Sequence, residues 1–293
     1  MTMKRSRQPA TESTGSDIPY MQCPPSIREF REIVLGYYRT HGRDLAWRRT
    51  TNPYRILVSE IMLQQTQVDR VTQKYPAFIA AFPDFPSLAG APLVDVLAAW
   101  QGMGYNRRAL SLQKCARRVV EEYDGMLPQD PDILATFPGI GSATAASICA
   151  FAFNMPVVFI ETNIRRVFIH FFFQEKSPVR DAEIIPLVKN SLYRKDPRTW
   201  YWALMDLGSV LKKKIPNPNR RSTQYVRQSA FEGSDREMRG KIIKMLLESP
   251  GMDIENLVQN LGGEKIRVLR LLGVLEKEGF LTKKADRIAI PSR

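Results

Sequence analysis

The sequence predicts an all-α body of more than one packing unit followed by a small C-terminal α+β domain of the winged-helix kind. Three observations carry this. Apolar residues recur at helical spacing from Pro25 to Leu211, and strand signals are almost absent until the end of the chain. A tight Pro138-Gly139-Ile140-Gly141 turn opens an Ala-rich helix in the middle of the body. After Ser234, three amphipathic stretches lead into a short segment that turns back on itself as a hairpin. The expected division is a disordered tail over residues 1–24, a body over 25–230 and a winged helix over 234–293.

The first body helix is expected over Pro25–Arg39, with Ile27, Phe30, Ile33, Val34 and Tyr37 on one face. Trp47-Arg48-Arg49 precedes Pro53, which suits the first turn of the next helix, Tyr54 to about Tyr75. Its buried stripe is Ile56, Leu57, Ile61, Val68 and Val71. Glu60 lies three and four residues after Leu57 and Ile56, so it borders that stripe. A carboxyl there either loses hydration, which raises its pKa toward a value useful for proton donation, or forms a surface salt bridge. Gln64-Gln65-Thr66 sets three uncharged polar groups at the far end, suited to hydrogen bonding with base edges.

Further helices are expected over Phe85–Leu88, Leu93–Trp100 and Arg107–Tyr123, then from Arg165 to Tyr193 and from Trp200 to Leu211. Between the second and third of these, Gly102-Met103-Gly104-Tyr105 breaks the helix, and Tyr105 with Arg107 and Arg108 could reach a phosphate or stack. The run Phe168–Phe173 is short and follows a basic pair, so it reads as core. In the C-terminal part, helices are expected from Ser234 through Glu248, over Met252–Leu261 and over Glu264–Glu278. The third would turn Ile266, Leu269, Leu272 and Leu275 inward, and the hairpin Phe280–Ile290 would turn near Lys284–Arg287. Lys265, Arg267 and Arg270 on the third helix fit DNA binding, and protein contact remains the alternative.

The central stretch is Phe137–Arg166. Its two glycines allow positive φ and let the first N–H groups of the helix Ser142–Phe153 point outward together. The turn fits either an ordinary helix–helix corner or a grip on a phosphate, the helix-hairpin-helix way of holding a DNA backbone. About twenty residues on, Glu161 stands just before another helix.

Composition narrows the function classes. A hydrophobic share of 44% is that of a folded globular protein, and no apolar run approaches the roughly 20 residues that cross a bilayer. The start of the chain is polar and basic without the apolar stretch of a secretory signal. A net charge of +13 calls for a polyanionic partner, with nucleic acid the usual one. Lys212, Lys213, Lys214, Arg220, Arg221 and Arg227 form a run with no acidic residue, either a solvated loop or a set of phosphate contacts. The three cysteines, Cys23, Cys115 and Cys149, are far apart and too few for an iron-sulfur cluster or a structural zinc, so no metal and no cofactor is expected. A reduced, intracellular setting fits them, and DNA binding would place the chain in the cytoplasm at the nucleoid, as a monomer.

At Trp47-Arg48, Val58-Ser59-Glu60-Ile61-Met62-Leu63-Gln64-Gln65-Thr66, Gly102-Met103-Gly104-Tyr105, Phe137–Gly141 and Glu161-Thr162-Asn163-Ile164-Arg165-Arg166-Val167, the chain resembles the helix-hairpin-helix (HhH-GPD) DNA glycosylase superfamily. The likeness runs from about Pro25 to Leu211, and the run around Glu60 is most similar to the adenine glycosylase branch. The resemblance implies a two-lobed glycosylase fold, with a six-helix lobe over about 54–160 and a second lobe from 25–53 and 161–230, a double-stranded DNA partner carrying a mismatched or damaged base, and base excision as the activity. It further implies that Glu60 protonates the extruded base, Gln65 wedges into the stack, and Gly139 to Gly141 hold a phosphate. Glu161 takes the place of the superfamily's aspartate and Asn163 the neighbouring polar position. Trp47, Arg48, Gln64, Thr66, Tyr105 and Arg165 complete the expected DNA-binding set.

The chemistry agrees with the residues. Breaking an N-glycosidic bond builds positive charge on the sugar, so one carboxylic acid should improve the leaving group and one carboxylate should stabilise the cation. The base must first leave the stack, which calls for a wedge and a backbone clamp. Four differences from the family pattern matter. Glu161 is one methylene longer than aspartate; Ala143 stands where lyase members carry a lysine, which implies a monofunctional enzyme; the cysteine loop after Met205-Asp206-Leu207-Gly208 gives way to the basic run; and a winged helix replaces a larger C-terminal domain. Two other functions stay open beside removal of A opposite G or 8-oxoguanine. One is a T or U glycosylase acting opposite G, and the other is a DNA-binding protein that does no chemistry.

Overall fold

The structure is a computed structural model that describes residues 23–262, 264–284 and 286–291. The expected N-terminal tail, save Cys23 and Pro24, lies outside the described residues. The chain divides into two compact units. One joins the described residues up to Arg43 with Ile160–Tyr225, and the other joins Asp44–Phe159 with Val226–Arg293.

In the first unit, helix α1 (Ile27–His41) starts at a capping box in which Ser26 accepts from the Glu29 N–H and the Glu29 carboxylate accepts from Ser26. Its buried Phe30 meets Phe168, Phe171 and Phe172 of α9 (Thr162–Phe172) at 5.0–5.4 Å between ring centroids, and Trp200 of α11 (Pro197–Lys214) at 5.9 Å. The Phe-rich run is therefore core, as its length predicts. Gly208 lets α11 lie directly on α9, because a Cβ there would come 2.3 Å from the Asn163 carbonyl oxygen. The expected long helix over Arg165–Tyr193 is two, α9 and α10 (Asp181–Ser191). The segment between them is used instead for a two-way backbone pairing, Val179 N–H to Arg221 O and Thr223 N–H to Val179 O.

In the second unit, α2 (Pro53–Leu63), α3 (Val68–Ala81), α4 (Phe85–Gly90), α5 (Leu93–Ala99), α6 (Arg107–Glu122), α7 (Pro131–Leu134) and α8 (Ser142–Phe153) enclose a core that includes Leu57, Ile61, Phe78, Trp100, Leu112 and Ile148. The single helix expected over Tyr54–Tyr75 breaks at Gln64–Gln67, with Gln65 in the left-handed region at φ 52°. Arg108 explains the break. Its guanidinium is buried and donates to the carbonyls of Ile61 (3.0 Å), Met62 (2.8 Å) and Gln64, which a continuing helix would have used.

The same unit carries the C-terminal elements: α12 (Asp235–Glu248), β1 (Met252–Asp253), α13 (Ile254–Asn260), α14 (Lys265–Lys277), β2 (Thr282–Lys284) and β3 (Arg287–Ala289). The three strands form one antiparallel sheet in the order β1-β3-β2, with Met252 and Lys283 both opposite Ile288. Met252-Asp253 is thus a strand, not the first turn of the second helix as its sequence suggests. The inner face of α14 is also rotated from the expected one. Val268, Leu271, Leu272 and Leu275 are buried, whereas Ile266 is 87% and Leu269 38% exposed. Two leucines in succession offered two apolar stripes of similar strength, and packing on α12 selected the other.

Candidate active site

The hairpin is built from the bottom up by backbone contacts. Of its two glycines only Gly139 takes positive φ, at 75°, while Gly141 sits at φ −88° and ψ 170°. A Cβ on Gly139 would come 2.8 Å from Ser111 Cβ, and a Cβ on Gly141 would meet nothing within 4 Å. Of the two positions where glycine allows positive φ, the chain uses one. Gly139 is required by the turn, and Gly141 keeps open the space in front of the helix. Around the turn, Cys115 Sγ–H donates to the Pro138 carbonyl at 3.2 Å, and Arg118 donates to the Thr136 carbonyl at 3.0 Å while lying 4.4 Å from the Phe137 ring centroid. Gly141 is the N-cap of α8 with no side-chain cap, so the first N–H groups of α8 face the open space with the positive end of the helix. Gly139→Ala is expected to cost about 1–3 kcal/mol through the strained φ and the Ser111 clash, and Gly141→Ala to leave stability within about 0.5 kcal/mol. Urea midpoints of the two variants check this.

Gln64-Gln65-Thr66 lies beside that turn. Gln64 Nε2 donates to the Gly139 carbonyl at 3.1 Å and to Thr144 Oγ1 at 3.3 Å. Thr66 Oγ1 accepts from Arg108 at 2.8 Å. Gln65, exposed and left-handed, projects from the crest of the turn. The sequence makes Arg108 a candidate phosphate contact, and the structure turns it inward. Besides the carbonyls above it donates to Met103 O (3.3 Å) and Gly104 O (3.1 Å). Burial lowers its pKa to about 10, which still leaves it charged at neutral pH. Arg108→Met should therefore orphan several carbonyls at once and destabilise the protein by about 3 kcal/mol or more, measurable as a lower denaturation midpoint.

Glu60 is half-buried on α2, and its Oε2 lies 2.6 Å from Ser147 Oγ on α8. Ser147 is buried, and its hydroxyl also lies 2.9 Å from the Thr144 carbonyl. The hairpin helix thus delivers a hydroxyl to the carboxylate singled out in the sequence. Trp47 is core, edge-on to Tyr75 at 5.6 Å, and Arg48 next to it is half-buried. Tyr105 is engaged within the protein. Its ring is 5.3 Å from the Arg108 guanidinium and 5.2 Å from that of Arg236, and its hydroxyl receives Arg236 at 2.7 Å and also Gln228. Arg107 joins Arg239 on the Glu278 carboxylate.

Glu161 belongs to the other unit and is the N-cap of α9. Oε1 accepts from the N–H of Asn163 (2.7 Å) and of Ile164 (2.8 Å), and Oε2 from Asn163 Nδ2 (3.2 Å). Burial raises its pKa above the ordinary carboxylate value, and these backbone donors together with Arg166 and Arg165 oppose that shift without cancelling it. Asn163 Oδ1 in turn accepts from Arg166 at 2.6 Å. Arg165 forms a fork on Asp181, at 2.7 and 2.6 Å.

Below this helix start runs Asn217–Arg221, the stretch that follows the Met205-Asp206-Leu207-Gly208 motif. Asn217 Oδ1 accepts from Arg166 at 3.0 Å, Asn219 Nδ2 donates to the Thr162 carbonyl at 2.8 Å, and Arg221 donates to the carbonyls of Phe173, Gln174 and Ile169. Part of the basic run is therefore structural and holds α9 in place; Lys212, Lys213, Arg220 and Arg227 remain exposed. The chain has three cysteines, of which Cys115 and Cys149 are buried, and among the described residues no group of three or more His, Cys, Asp or Glu could hold a metal ion. Four thiolates for an iron-sulfur cluster do not exist here, so the residues do not fit that group.

Residues 58–185 match the HhH-GPD superfamily of base excision DNA repair proteins. Over 237 residues the chain is 35% identical to the adenine DNA glycosylase of Mycolicibacterium smegmatis, a match that covers 74% of this chain and 80% of the relative. This chain belongs to the HhH-GPD superfamily. The adenine DNA glycosylase of Mycobacterium tuberculosis is 33% identical over 256 residues, covering 78% of this chain and 83% of that one. Among solved structures, a thermostable thymine-DNA glycosylase aligns with a TM-score of 0.58 at 23% identity, over 67% of this chain and 91% of that chain. Endonuclease III, solved in a non-covalent complex with DNA, aligns with a TM-score of 0.55 at 18% identity, over 66% and 90%. These two likenesses establish the fold, an α-helical HhH-GPD body, to which this chain adds a C-terminal winged helix.

Sequence reasoning missed Ser147 and the clamp of Asn217 and Asn219. Ser147 had a signal, as the only polar side chain between Ala145 and Ala152. The clamp had none, since two asparagines around a proline read as an ordinary turn.

Proposed function

We propose that this chain is a monofunctional DNA N-glycosylase of base-excision repair that removes adenine mispaired with G or 8-oxoguanine. The observation that carries the reading is the 35% identity across 80% of an adenine DNA glycosylase. Support comes from Glu60, half-buried and set by Ser147 against the hairpin helix. Glu60 acts as the general acid that protonates the base, so that it leaves as a neutral molecule. Glu161, in its ionised form, offsets the positive charge that builds on the sugar and orients the water that adds to it. Gln65 enters the stack where the base has left, and the open N-terminus of α8 takes a backbone phosphate. Ala143 offers no amine for a Schiff base, so bond cleavage stops at an abasic site.

The partner is double-stranded DNA with a mismatched or damaged base, met by a monomer, and a net charge of +13 draws the protein to it. The described residues contain no helix long and apolar enough to cross a membrane; the reaction is assigned to nucleoid DNA in the cytoplasm. The test is product identity. Chromatography of the small products from a duplex with A opposite G should yield free adenine, with the DNA strand intact until alkali is added. Free adenine absent, or a strand cut without alkali, overturns the reading.

A further inference from the structure

The hydroxyl of Ser147 has one hydrogen and two acceptors within reach, Glu60 Oε2 at 2.6 Å and the Thr144 carbonyl at 2.9 Å. It is buried in an apolar stretch of α8, Ala145 to Ala152, where a hydroxyl is retained only with a partner. The Thr144 carbonyl is already the natural acceptor of a helical N–H four residues on, so the hydroxyl is not needed to satisfy it. The short contact is the one to Glu60, in the range expected for an O–H donor on a carboxylate. We propose that Ser147 is the positioning residue of the general acid: it donates to Oε2, fixes the carboxyl rotamer, and makes the other oxygen of Glu60 the one that carries the proton and gives it up. This rests on the glycosylase reading and deepens it.

The step balances. The proton passes from the second carboxyl oxygen to a ring nitrogen of the base, the electron pair of the glycosidic bond follows to the base, and the base departs neutral. Water supplies hydroxide to the sugar carbon, and its remaining proton returns to the Glu60 carboxylate. Between the two proton transfers Glu60 carries a full negative charge, and the Ser147 O–H is then bonded to an ionised acceptor, which makes that bond stronger than in the resting acid. The contribution is therefore larger in the transition state than in the bound ground state, and it belongs to the rate of base release rather than to DNA affinity. When the carboxyl is protonated toward Ser147 instead, the hydroxyl can turn its hydrogen to the Thr144 carbonyl, so α8 offers a partner to either protonation state without moving.

The experiment compares wild type, S147A and S147T, each folded by its thermal melt, on one labelled duplex carrying A opposite G. Single-turnover base release and duplex affinity are measured side by side. Loss of a hydrogen bond to a charged group corresponds to about 10- to 100-fold in rate, so S147A should release base that much more slowly, with affinity within about twofold, and S147T, which keeps the hydroxyl, should recover most of the rate. S147A as fast as wild type, or S147T as slow as S147A, overturns the inference and leaves the glycosylase reading standing. A wild type that releases no base from this duplex or from duplexes carrying T or U opposite G overturns both.

Discussion

Replacing Glu60 by Gln is expected to slow single-turnover base release by about 100-fold or more, with duplex affinity within about twofold. Gln is nearly isosteric and can still accept from Ser147, whose hydroxyl lies 2.6 Å from the carboxylate, so the fold and the contact with α8 survive. What disappears is the transferable proton. A general acid contributes about 10²- to 10⁴-fold, and no other acid in the described part of α2 can take its place, since Glu60 is the only acidic residue of that helix. An unaltered rate in E60Q would show that the base leaves without help from this carboxyl.

Glu161→Gln is expected to lose a similar factor, about 100-fold, for a different reason, and the pH dependence separates the two. Gln keeps one acceptor oxygen for the Asn163 and Ile164 N–H groups that Oε1 serves, so the cap of α9 is retained in part. The negative charge is lost. Because burial raises the Glu161 pKa, the wild-type rate should climb with pH through a value above the ordinary carboxylate range, and E161Q should lack that limb. Stability runs the other way. The folded chain holds this proton more tightly than the unfolded chain, so the contribution of Glu161 is complete below the ordinary carboxylate pKa and is lost as pH rises through the raised one. Urea midpoints should therefore fall less steeply with rising pH in E161Q than in wild type. Equal slopes, with an unchanged rate profile, would show that Glu161 does not titrate in this way. Aspartate at 161 would retract the carboxylate by about one bond length, and loss of rate in E161D with a normal melt would show that the pocket is fitted to the longer side chain.

Much of the fold was legible because its signals are local. The Ser142–Phe153 helix and the cap at Ser234 follow from residues adjacent in sequence, and both stand as expected. The errors arose where a distant residue decided the outcome. Helix α2 ends at Leu63 because Arg108, more than forty residues on, takes its last carbonyls. Met252-Asp253 is a strand because Ile288 and Arg287 pair with it. The face of α14 could be read in two ways until α12 packed against one of them.

The candidate site shows the same division. Glu60, Gln65, Gly139 and Glu161 announce themselves by motif, whereas Ser147, which donates to Glu60, is a serine 87 residues away that no spacing rule would select. Charge was the least reliable guide. Arg221 and Arg108 serve backbone carbonyls, and three of the four basic residues of α14 are met by acids, Lys265 by Glu255, Arg267 by Glu264 and Asp235, and Arg270 by Asp235. That neutralisation weakens the case for α14 as a DNA-reading helix, and with it the reading of this chain as a binder that does no chemistry.

The measurement that tests the central claim most directly is single-turnover base release from four labelled duplexes, carrying A opposite G, A opposite 8-oxoguanine, T opposite G and U opposite G, each with and without alkali. Adenine removal predicts cleavage of the A strands alone, and only after alkali. Cleavage of the T or U strand in place of the A strand would contradict it.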